Sequence, residues 1–123
     1  MKISITIGPL TMQGELNDTE TAKSVGQALP YRTSFNTWGD EIYFTIPVQS
    51  ELHEGARDEV VAGELGYWPP ARAFCIFFGP TPMSTPDKIV AASPVNIIGR
   101  ILGDASRFKS VMNEKEVIVE RTE

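Results

Sequence analysis

Glu41-Ile42-Tyr43-Phe44-Thr45-Ile46 is the stretch on which the fold turns. In extended backbone successive side chains point to opposite faces, so Ile42, Phe44 and Ile46 share one side and Glu41, Tyr43 and Thr45 the other. The first side is wholly apolar and demands burial against other strands. The second side, carrying a carboxylate and a phenol, is left to face outward. Thr37-Trp38-Gly39-Asp40 ahead of it reads as a turn, and Pro47 ends it because proline brings no N–H to a ladder.

Working outward, the same period of two recurs. Lys2 to Ile7 sets Ile3, Ile5 and Ile7 on one face, Gly8-Pro9 turns the chain, and Thr11 to Leu16 alternates again with Met12 and Leu16 inward. Tyr31 to Asn36 and Glu59 to Leu65 read as strands, and Ala73 to Phe78 is apolar on both faces, as in the middle of a sheet. Gly66-Tyr67-Trp68-Pro69-Pro70 reads as a stiff excursion, and residues 79–86 as an extended loop. Ile89 to Ala92, Val95 to Leu102 and Glu116 to Arg121 complete the strands. A helix is predicted after Asn17 or Asp18, with Glu20 in its first turn, Ala22, Val25 and Leu29 on one side, and Pro30 as its stop. A second, short helix begins near Asp104. Many short strands with turns between them indicate a sandwich or barrel, and about eight strands close into a barrel that side chains just fill. The expected fold is therefore mostly β: a closed antiparallel eight-stranded barrel with two short capping helices, residues 1–123 forming one domain.

Composition narrows the partners. A formal net charge of -5, with Lys and Arg scattered singly, argues against a nucleic acid partner, whose phosphates require clustered cations. Anionic membrane surfaces are disfavoured for the same reason, and no apolar stretch approaches a membrane span. The first residues alternate and meet Gly8-Pro9 where a leader would carry a continuous apolar run, which points to a cytoplasmic location. Cys75, the single cysteine, lies within Ala73-Phe74-Cys75-Ile76-Phe77-Phe78 and reads as a buried, inert thiol. His53, the single histidine, sits in a charged loop without a rigid partner for a triad. Glu51, His53, Glu54 and Asp58 read as a solvated loop, and Gly63-Glu64-Leu65-Gly66 fits no phosphate loop. No metal and no cofactor is expected, and no residue is assigned as catalytic.

Three segments carry a resemblance: Trp38-Gly39-Asp40-Glu41-Ile42-Tyr43-Phe44, Cys75-Ile76-Phe77-Phe78-Gly79-Pro80-Thr81-Pro82, and Ser93-Pro94-Val95-Asn96-Ile97-Ile98-Gly99. With the order of elements, they make the chain similar to a cyclophilin-like family of small bacterial and archaeal proteins of unestablished activity. The resemblance implies a cyclophilin-like barrel whose ligand groove lies on the outer wall. Cyclophilins lower the barrier of about 18–20 kcal/mol to peptide-bond rotation with an arginine in a Phe-His-Arg segment, followed by Gln-Gly-Gly-Asp on the next strand. Here the corresponding stretches read Tyr31-Arg32-Thr33-Ser34-Phe35-Asn36 and Glu41-Ile42-Tyr43-Phe44. Both motifs are absent, so efficient prolyl isomerisation is not expected, although Arg32 lies in the right region.

Tyr43 on the outward side of its strand, with Trp38, Tyr67 and Trp68, is expected to build an aromatic wall, since such side chains combine apolar area with one directional hydrogen bond. Trp68 before Pro69-Pro70 suits pinning a loop equally well, and Trp38 plugging a barrel end. Glu41 is the carboxylate best placed as a base or anchor. Asn96, polar within an apolar strand, either satisfies neighbouring backbone or presents its amide to a ligand. The expected ligand-binding set is Arg32, Trp38, Glu41, Tyr43, Tyr67, Phe78 and Asn96. The expected partner is an extended peptide or a small acyl ligand. A weak or altered prolyl isomerase, an amide-processing enzyme using Glu41 and Tyr43, and an oligomer interface are the alternatives, with the oligomeric state left open.

Overall fold

The computed structural model describes residues 1–123. Ten strands form: β1 (Lys2–Ile7), β2 (Leu10–Leu16), β3 (Tyr31–Ser34), β4 (Asn36–Thr37), β5 (Glu41–Thr45), β6 (Arg57–Val60), β7 (Glu64–Trp68), β8 (Ala73–Phe77), β9 (Ile89–Leu102) and β10 (Glu116–Arg121). One α-helix, α1 (Glu20–Gln27), follows β2, and 3-10 helices cover Pro69–Ala71 and Ala105–Val111. No helix is long and apolar enough to cross a membrane.

All pairings are antiparallel, along the path β3-β10-β1-β2-β9-β7-β8-β5-β4, with β6 attached to β9 alone. This corrects the expected closed eight-stranded barrel: there are ten strands, and no ladder joins β3 to β4. The cause lies in residues 31–37. Tyr31 to Asn36, expected as a single strand, instead breaks at Phe35: the part before it pairs with β10, and Asn36, with Thr37 from the expected turn, pairs with β5. The two margins of the sheet are thus consecutive in the chain, and the curl is closed by a covalent link where a ladder was expected.

Alternation on β5 runs as the sequence predicts. Ile42 faces Ile76 and Phe44 faces Phe74 across the β5–β8 ladder, and all four belong to the inner core. Phe44 and Phe74 stack with centroids 5.1 Å apart and planes 15° from parallel. Ile3, Ile5 and Ile7 enter the same core, as do Ala22 and Val25 from α1 and Phe108 from the second 3-10 helix. The cap of α1 is Thr19, not Asn17 or Asp18: its hydroxyl accepts the Ala22 N–H at 3.2 Å, while Asn17 Oδ1 accepts from Thr19 itself. The Tyr31 hydroxyl donates to the Val25 carbonyl at 2.6 Å and ties the end of the helix to β3.

A second, smaller apolar cluster lies on the outside of the curl. Ala73, Cys75 and Phe77 of β8 form its base, and Val60 of β6 with Ala91 and Val95 of β9 lie over them. Two features of the sequence hid this layer. Glu59 to Leu65 is not one strand but turns at 61–63, where Arg57 grips the Glu64 carboxylate with its two terminal nitrogens, Nη1 at 2.9 Å and Nη2 at 2.6 Å. Conversely, β9 runs unbroken through Ser93-Pro94, which falls in the register break of its pairing with β6 and so removes no needed donor. The first half of β9 therefore belongs to the outer layer and its second half to the main sheet.

Candidate functional site

The outer layer covers Cys75 and Phe77 but stops short of the neighbouring β5, and at its margin a cavity of about 180 Å³ remains. Glu41 and Tyr43 form one side of it, Trp38 and Trp68 stand as aromatic walls, and Ala91, Ala92 and Val95 come from β9. Three local devices hold these groups. The 38–41 turn is closed by the Trp38 N–H on the Glu41 carbonyl at 2.9 Å and clamped to the next loop by Asp40 N–H on Pro80 O at 2.9 Å and Phe78 N–H on Asp40 O at 3.0 Å. Gly39 makes that clamp possible: its φ is 60°, and a Cβ there would sit 2.8 Å from the Pro80 carbonyl oxygen. Gly66 on the outer face of β7 lets Val95 settle against the wall, since a Cβ would come 3.1 Å from Val95 Cγ2. Finally, the Trp68 indole N–H donates to Ser93 Oγ at 2.6 Å and fixes the middle of β9 above the wall.

Glu41 is the group that makes this cavity chemically distinctive. It is only 6 % exposed, and no Lys, Arg or His pairs with it. Burial raises its pKa from the ordinary 4.5 to about 7, tempered slightly by the neighbouring Cys75 thiol. The same burial, together with the Glu41 charge, pushes the Cys75 thiol up, so it stays protonated and inert. The adjacent Asp40 points elsewhere, with Lys109 Nζ at 3.5 Å. A carboxyl that titrates near neutrality in an apolar recess can trade a proton, accept from a donor or balance a cation.

The structure thus brings Trp38, Glu41, Tyr43 and Trp68 together and places the other expected residues elsewhere. Arg32 is exposed on β3 with Glu116 Oε1 at 3.3 Å. Tyr67 does not stand on the outer wall. It alternates with Gly66 and Trp68 into the inner core, where its hydroxyl donates to Val48 O at 2.6 Å and accepts from Ser50 N–H at 3.2 Å. Phe78 likewise turns inward, against Phe108. Asn96 takes the first of its two expected roles, although with a loop and not a bulge: its amide donates to Glu51 O at 2.9 Å and Thr21 Oγ1 at 3.1 Å and accepts from His53 N–H at 2.9 Å. Asn96→Ala strands those groups and is expected to cost about 1–3 kcal/mol, with faster amide exchange at His53 in a hydrogen-exchange experiment and an unaltered cavity. Sequence reasoning missed Ala91, Ala92 and Val95, whose small size is the only signal that something must fit beneath them.

A curled antiparallel sheet with one α-helix, two 3-10 helices and a recess on its outer wall is a cyclophilin-like fold. The chain belongs to the Cyclophilin-like family, whose family model matches residues 1–120. It is similar to the hypothetical protein AF2241 from Archaeoglobus fulgidus, known from a solution structure, with 41% sequence identity, a TM-score of 0.82, and coverage of 99% of this chain and 95% of that one. None of the curated proteins matches the chain.

Proposed function

We propose that the protein is a binding domain that takes a small acyl ligand, or one residue of an extended peptide, into the outer-wall cavity between Trp38, Tyr43 and Trp68. The observation that carries this reading is the convergence of three aromatic side chains on one buried, unpaired carboxyl in an otherwise apolar recess. A volume of about 180 Å³ suits a single short group better than several residues in a row. Arg32 is not among the groups around the cavity, which speaks against an altered prolyl isomerase. The near-neutral Glu41 carboxyl favours a second reading, amide processing with Glu41 as the proton carrier, in which Glu41→Gln abolishes turnover while binding persists.

Both tryptophans of the chain line this cavity, so intrinsic emission reports on it directly. Titrating short acyl amides and proline-containing peptides is expected to shift that emission saturably, and Val95→Phe, which fills the recess, is expected to abolish the response. A panel that leaves the emission unchanged, or a response that Val95→Phe does not touch, overturns the assignment of the site.

A further inference from the structure

We propose that the part of the acyl ligand or peptide residue that enters this cavity is a small organic cation, an alkylammonium head enclosed by Trp38, Tyr43 and Trp68 with Glu41 as its counter-ion. The inference rests on the outer-wall cavity being the binding site and names the chemistry of its ligand. Its starting point is a contrast among the acidic residues. Glu15, Asp40, Glu59, Glu64 and Glu116 all have a Lys or Arg within 4.0 Å, although each is more exposed than Glu41. Glu41 is the only Asp, Glu, Lys, Arg or His in the buried set, and it has no basic partner at all. Buried charges ordinarily persist when paired, so the missing partner is one that arrives from outside.

The walls select the kind of cation. Aromatic faces carry negative potential and hold ammonium groups within about 6 Å of the ring centroid, most strongly where water is excluded. The surfaces contributed by Ala91, Ala92 and Val95 are methyl groups, which suit N-methyl substituents and offer nothing to a strongly hydrated head that needs hydrogen bonds. The chain's net charge of -5 favours the approach of a cation. The titratable groups facing the Glu41 carboxyl are the Cys75 thiol from β8 and, on its own strand, Tyr43. The residues lining the cavity from β7 and β9, and Trp38 from the turn, carry none. Binding a cation must therefore draw on the ionised form of Glu41, and its affinity must rise with pH through neutrality. A neutral acyl ligand accepting a hydrogen bond from protonated Glu41 shows the opposite slope.

The test uses choline and its uncharged carbon isostere, titrated by tryptophan emission and calorimetry well below and well above neutrality. Choline is expected to bind at least about tenfold more tightly than the isostere above neutrality and to lose about tenfold on acidification. In Glu41→Gln the preference for choline is expected to shrink and to lose its pH dependence, and Trp38→Leu, which keeps an apolar wall, is expected to weaken the preference while leaving its pH dependence in place. Trimethyl-lysine presented in a short peptide distinguishes a free cation from one carried on a polypeptide. Equal binding of choline and isostere, or affinity that falls as pH rises, overturns the cation and leaves the cavity as the site. Failure of choline, isostere, acyl amides and peptides alike overturns the cavity itself.

Discussion

Glu41→Gln is expected to stabilise the protein at alkaline pH and to leave it almost unchanged in acid. The folded chain holds this carboxyl at a pKa of about 7, against 4.5 when exposed. Between those values the folded state keeps a proton that the unfolded state has lost, so the Glu41 contribution to stability is complete below 4.5, declines as pH rises, and levels off above about 7. The whole shift corresponds to about 3 kcal/mol, and access of water through the mouth of the cavity reduces the expected difference to about 2 kcal/mol. Glu15, Glu64 and Asp104 have lowered pKa values and run the other way, losing their contribution as pH falls. Only the difference between wild type and Glu41→Gln isolates the buried carboxyl. Urea unfolding of both proteins across the pH range measures it, and a difference that does not grow through neutrality means that Glu41 is not buried uncompensated.

Phe74→Ala carries the largest expected loss, about 3–5 kcal/mol. Phe74 is fully buried on β8, an interior strand flanked by β5 and β7, and its ring stacks on Phe44. Removing it opens a hole bounded by strands that cannot close in without breaking two ladders. Chemical denaturation measures the loss, and Phe74→Leu, which fills much of the same volume, is expected to lose less and to remain measurable if the alanine variant does not fold. A loss under about 1 kcal/mol for Phe74→Ala is incompatible with an inner core organised around this pair.

What the sequence discloses is set by how far each signal reaches. Alternation is local, and it placed Ile42 and Phe44 inside and Glu41 and Tyr43 outside without knowledge of any other strand. It was equally available at residues 64–68, where Leu65 and Tyr67 take one face and Gly66 and Trp68 the other, but the prolines that follow made Gly66-Tyr67-Trp68 read as part of a stiff excursion after a strand ending at Leu65. Phe78 was opaque for a different reason: Ala73 to Phe77 is buried on both faces, so its composition does not say which way the next side chain turns. The break at Phe35 and the continuity of β9 through Ser93-Pro94 depend on which strands lie alongside, which no local pattern encodes. The cavity inherits that limit. Its Trp38–Glu41–Tyr43 side was legible, and the side supplied by Ala91, Ala92 and Val95 was not.

Because β6 and the first half of β9 cover a separate cluster, the recess and the inner core draw on different sets of residues. None of Val60, Ala91, Ala92 and Val95 belongs to the Phe44–Phe74 core, so a change of size at any of them is felt first in the outer cluster and the recess. The shape of the recess can therefore be altered from the outer layer while the inner packing that carries most of the buried apolar side chains keeps its residues.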